Sequence, residues 1–126
     1  MDNIKNLENP RSNKVEIHPS AYIHPNAKLD PGVIVHQGAM IGAEVVIGSG
    51  TTVGPNSVLE GRTTIGKNNR IFPNVFLGLE PQDLKYKGAN TELIIGNDNT
   101  FRECVTINKA TNKGERTIIG NNNLMM

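Results

Sequence analysis

Tryptophan is absent from this 126-residue chain, which has only two tyrosines and three phenylalanines. A core without large aromatics cannot be one irregular jigsaw, and it points instead to many thin, similar layers. Cysteine occurs once, at Cys104, so no internal disulfide can form, which fits a reducing compartment. No stretch approaches the roughly 20 apolar residues that span a bilayer. The opening MDNIKNLENPRSNK lacks the apolar segment of a signal peptide. A net charge of +1 gives no electrostatic case for nucleic acid or an anionic membrane surface. These absences leave a soluble, cytoplasmic protein of one domain as the expectation. Thirteen glycines and seven prolines without a collagen period then call for many turns.

What is present is a lattice. From Ile17 to Leu77 an aliphatic residue returns every sixth position: Ile17, Ile23, Leu29, Val35, Ile41, Ile47, Val53, Leu59, Ile65, Ile71, Leu77. Taking that residue as position one, five of the seven prolines fall on position three. Seven of the thirteen glycines, counting Gly96 and Gly120, fall on position two of a hexad led by an aliphatic residue. Position five is small or β-branched, as in Ala21, Ala27, Val33, Ala39, Val45, Thr51 and Ser57. Core chemistry and turn chemistry therefore share one period.

Positions five and one are two residues apart, so in an extended strand they point to the same side. Gly, Pro and Asn at positions two to four then bend the chain. Each hexad reads as a short strand plus a corner, and three hexads close one triangular coil. Such strands cannot bury a face alone and must stack on their neighbours. The period predicts a left-handed parallel β-helix, an exception to the right-handed crossover rule. An antiparallel sandwich would need longer strands at looser spacing. Residues 1–14 read as a polar N-terminal arm before a β-helix domain over 15–126, about six coils or roughly 29 Å of stack.

The lattice breaks twice. GLEPQDLKYKGANTE interrupts it before Ile95-Gly96, and NKATNKGERT before Ile119-Gly120. Both breaks predict loops leaving the coil, where a rigid solenoid places its binding residues. Asn69, Asn99 and Asn123 occupy the inward fifth position and are expected to bond corner carbonyls. Asn69 and Asn123 are nine hexads apart, which puts them on one face with three coils between them.

Around these breaks the chain resembles a known family. Gln82-Asp83-Leu84-Lys85-Tyr86 with Gly88, then Arg102-Glu103-Cys104-Val105-Thr106-Ile107, then Asn123-Leu124-Met125 are similar to segments of the acyl-ACP:UDP-N-acetylglucosamine O-acyltransferases of lipid A biosynthesis. The hexads alone would indicate only the broader hexapeptide transferases. The resemblance runs from about residue 15 to the end. It implies homotrimers with active sites between subunits and no cofactor. It also implies transfer of an (R)-3-hydroxyacyl group from acyl carrier protein to the glucosamine 3-hydroxyl of UDP-N-acetylglucosamine, with a histidine as general base. By the same resemblance Gln82, Asp83 and Lys85 lie in a substrate-binding loop. A mobile lysine suits a diphosphate and a carboxylate can accept from a hydroxyl.

Two departures qualify it. Asn108 stands where the family has a ligand-contacting histidine, so it can hydrogen-bond but not carry a proton. No histidine follows His36, and the family's general base is expected beyond Met126. The resemblance therefore implies an N-terminal fragment, inactive alone, whose uncapped last coil favours aggregation. Two other readings stay open: a hexapeptide acyltransferase using acetyl-CoA, and a non-catalytic β-helix. His18 and His36, three hexads apart, should share a corner, where exposed corner residues outweigh a metal site. Cys104 sits at a corner with no histidine nearby in sequence and is not expected to act as a nucleophile.

Overall fold

The computed structural model describes residues 14–80 and 91–126. Among them there is no helix and every strand pairing is parallel. Accordingly, no helix among them is long and apolar enough to cross a membrane. The chain winds through three sheets in turn. Sheet A holds β1 (Glu16–Ile17), β4 (Ile34–Val35), β7 (Thr52–Val53), β10 (Arg70–Ile71), β13 (Thr100–Phe101) and β16 (Leu124–Met125). Sheet B holds β2 (Tyr22–Ile23), β5 (Met40–Ile41), β8 (Val58–Leu59), β11 (Phe76–Leu79) and β14 (Thr106–Asn108). Sheet C holds β3 (Lys28–Leu29), β6 (Val45–Ile47), β9 (Arg62–Ile65), β12 (Glu92–Ile95) and β15 (Arg116–Ile119). The fold is the left-handed parallel β-helix that the six-residue period predicts.

The lattice residues form the core because position one of every hexad points inward. Val35, Ile41, Ile47, Val53, Leu59 and Ile65 are all buried, and Phe101 carries the column on at sheet A. The corners turn at position four. Asn56, Asn68, Asn74, Asp98 and Asn122 sit there with φ of 56–61°, a left-handed conformation that short polar side chains tolerate. Cys104 occupies the same corner position at φ 68° and is exposed.

The fifth position differs from corner to corner. Between sheets C and A it forms a polar ladder, Thr51–Asn69–Asn99–Asn123. The Asn69 amide donates to Thr51 Oγ1 at 3.2 Å, Asn99 to Asn69 Oδ1 at 2.9 Å, and Asn123 to Asn99 Oδ1 at 2.9 Å. Each of the first three side chains also donates to a carbonyl of the next coil: Thr51 to Gly66, Asn69 to Gly96 and Asn99 to Gly120, all at 2.8 Å. The expected corner-carbonyl partners of Asn69 and Asn99 are therefore in place.

The coil count needs correction. Ile71 pairs with Phe101, five hexads on instead of three, and Phe101 pairs with Met125, four hexads on. The first break thus inserts two hexads and the second inserts one. Asn69 and Asn123 are two coils apart, not three, and sheet A has six strands and five gaps, about 24 Å at ~4.8 Å each. The miscount arises because both insertions are whole hexads. The aliphatic phase resumes unchanged and conceals the residues that left the coil.

Candidate functional site

The lattice predicts two loops but says nothing about where they stand relative to each other. Both leave the same corner, between sheets B and C, on adjacent coils. The first runs from β11 to β12 and the second from β14 to β15, and β11 pairs β14 while β12 pairs β15. Their roots are in contact: Asn108 registers against Leu79, and the Lys109 amide donates to the Leu79 carbonyl at 3.1 Å. Asn108 is half-buried as the last residue of its strand.

A bulge shapes this corner. The register against β14 slips between Leu77 and Leu79, which leaves the buried Gly78 unpaired at φ 79°. A bulge kinks its strand, and this one lies within the last described residues before the first break. A side chain at Gly78 would drive into the Glu60 carbonyl and Thr63 Oγ1. One coil below, Gly61 at φ 65° lies under Lys109, whose Cδ is 3.3 Å from where a Cβ would project. Thr91 closes the first loop as it re-enters the coil. Its hydroxyl is buried and has no hydrogen-bond partner among the described residues.

Outside the corner, charges alternate up the prism. Arg62 pairs with Glu44 at 3.8 Å and Arg116 with Glu92 at 3.4 Å. An open cleft of about 310 Å³ lies where the second loop returns, lined by Arg62, Glu92, Lys113, Gly114, Glu115 and Arg116. With three cations to two carboxylates, it can accept an anionic group beside the loop roots.

Of the candidate residues read from the sequence, Asn108 is placed at this corner. Gln82, Asp83 and Lys85 lie outside the described residues. Sequence reasoning missed Gly78 and Lys109. The signal for Gly78 was present, since Leu77-Gly78-Leu79 breaks the alternation by one residue. His18 and His36 share a column on the edge of sheet A, as expected, away from this corner. His24 belongs to the Asn108 corner but lies at the opposite end of sheet B, four strands away.

A prism of stacked hexads with loops gathered at one corner defines a class of protein. The family model "Bacterial transferase hexapeptide (six repeats)" matches residues 14–49 and 44–78, together just over half of the chain, and the chain belongs to that family. Beyond the family, the chain is 53% identical over 113 residues to the acyl-[acyl-carrier-protein]–UDP-N-acetylglucosamine O-acyltransferase of Myxococcus xanthus, covering 89% of this chain and 44% of that one. It is 51% identical over 111 residues to the enzyme of the same name from Akkermansia muciniphila, covering 88% and 43%. Among solved structures, LpxA from Acinetobacter baumannii superposes with a TM-score of 0.82 at 41% identity, covering 86% of this chain and 42% of that one. The chain thus spans less than half the length of these relatives.

Proposed function

We propose that this chain forms the nucleotide-sugar-binding coils of an O-acyltransferase that moves an (R)-3-hydroxyacyl group from acyl carrier protein to UDP-N-acetylglucosamine. The observation that carries the reading is the contact between Asn108 and Leu79. It sets the one described candidate residue against the root of the loop that contains Gln82, Asp83 and Lys85. The named relatives, similar over nearly nine-tenths of this chain, support the same reading.

In this reading Lys85 holds the diphosphate, Asp83 accepts from a sugar hydroxyl, and Asn108 orients the acyl acceptor by hydrogen bonding. The glucosamine 3-hydroxyl loses its proton to a general base as its oxygen attacks the thioester carbonyl. The carbon–sulfur bond then breaks, and the carrier's thiol leaves with a proton. None of this chain's histidines stands beside Asn108, so the base comes from outside the residues assembled here. The working protein is a homotrimer in the cytoplasm, with a neighbouring subunit completing the cleft.

The test is titration of the protein with UDP-N-acetylglucosamine, followed by calorimetry. Saturable binding is expected, weakened about tenfold by Lys85→Ala and severalfold by Asn108→Ala with thermal stability unchanged. Binding indifferent to both substitutions would overturn the assignment.

A further inference from the structure

The first coil has no coil beneath it among the described residues. Its strands β1, β2 and β3 stand at the ends of sheets A, B and C, so each has a strand neighbour on one side only. The lattice residues register the difference. Ile17 is 47% exposed and Ile23 and Leu29 are half-buried, whereas Val35, Ile41 and Ile47, paired with them in the second coil, are 0–1% exposed. The fifth positions behave alike: Val15 is exposed and Ala21 and Ala27 are half-buried, below the buried Val33, Ala39 and Val45. These inward-pointing side chains form an apolar floor at the first end of the prism.

The backbone at this end is open as well. The amides of Glu16 and His18 donate to Val33 and Val35 of the second coil, and those of Tyr22 and His24 donate to Ala39 and Ile41. Successive residues of a strand turn their N–H and C=O to opposite sides, so Ile17 and Ile23 aim theirs away from the second coil. Both residues therefore present an uncovered apolar side chain and outward backbone groups together. A solenoid end of this kind calls for a cover that supplies apolar contact and hydrogen bonds at once.

We propose that residues 1–13 of the same chain are that cover, with Ile4 and Leu7 set on Ile17, Ile23 and Leu29. Their composition fits the floor. Met1, Ile4 and Leu7 return at every third position, and four asparagines stand around them to bond the outward backbone groups. Their attachment fits as well. Lys14 is already fixed at this end, where its carbonyl accepts from the Gly32 amide of the second coil, and it leads directly into Val15 and β1. Thirteen residues reach up to about 43 Å, and one side of the prism is a single hexad of at most about 20 Å, so the segment can cross the open end. A covalent tether also gives it an effective concentration on the order of millimolar at the floor, which favours it over a second copy in dilute solution.

The experiment is amide hydrogen exchange on the full chain, in wild type and in an Ile4→Asn/Leu7→Asn double variant. The Ile17 and Ile23 amides are expected to be protected in wild type and to exchange about tenfold faster or more in the variant, while Val53 in the third coil is unchanged and reports an intact fold. Amides of Ile17 and Ile23 that are unprotected in wild type, or equally protected in both proteins, overturn the proposal. A nitroxide at Lys5→Cys in a Cys104→Asn background gives the placement. It should broaden the methyl signals of Ile17, Ile23 and Leu29 more than that of Met40 on the outer face of sheet B. The reverse order overturns the proposal. So does broadening that is equally strong when nitroxide and isotope label are on different chains, since it puts a second copy on the floor.

Discussion

Asn69 and Asn99 are joined coil to coil by a single hydrogen bond, from the Asn99 amide to Asn69 Oδ1 at 2.9 Å, and both side chains are fully buried. Asn69 is a coupling element, because its Nδ2 also donates to the Gly96 carbonyl at 2.8 Å. Asn69→Ala strands a buried donor and a buried acceptor at once. It is expected to cost about 2–4 kcal/mol in urea unfolding. Combined with Asn99→Ala, the two losses should add, because Asn99→Ala keeps the backbone amide that donates to Asn69 and the two side chains share no hydrogen bond. A combined loss well below the sum would show that the two positions are coupled through packing instead.

Two buried threonines separate hydrogen bonding from hydroxyl burial. Thr51 Oγ1 donates to Gly66 and accepts from the Asn69 amide. Thr91 Oγ1 has no partner among the described residues. Thr51→Val should destabilise by about 1–3 kcal/mol, whereas Thr91→Val should be neutral or stabilising by up to about 1 kcal/mol. A loss at Thr91→Val equal to that at Thr51→Val would reveal a partner for the Thr91 hydroxyl.

Gly78 and Gly114 have nearly the same φ, 79° and 81°, in opposite surroundings. A Cβ on Gly78 meets the Glu60 carbonyl and Thr63 Oγ1, while one on Gly114 meets nothing within 4 Å. Gly114→Ala should cost about 1 kcal/mol for the left-handed conformation alone. Gly78→Ala should cost more than twice that and, on the proposed function, should also weaken UDP-N-acetylglucosamine binding, because the bulge lies at the root of the first break. Equal melting temperatures for the two variants would contradict this account.

Cys104 holds a corner that the two preceding coils give to Asn74 and Asn56, at φ 68° with its side chain exposed. Cys104→Asn is expected to raise stability by about 0.5–1 kcal/mol, read as an increase in Tm of a few degrees. A decrease would mean that the thiol makes a contact worth more than the strain.

The six-residue period was sufficient to determine the fold, because in a β-helix the core, the turns and the stacking repeat with the same spacing. Ile41 and Leu59 are core and Asn56 and Asn74 are corners for reasons local to each hexad, so they can be read without the rest of the chain. The coil count was not legible. Insertions of whole hexads preserve the phase, and only the pairing of Ile71 with Phe101 and of Phe101 with Met125 reveals them. The site was half legible. The loop motif and Asn108 could be recognised by their resemblance to a family, but not that the two loops rise from one corner. That fact depends on which coil each loop leaves, and so on the pairing of Phe76 with Thr106 across the whole first loop.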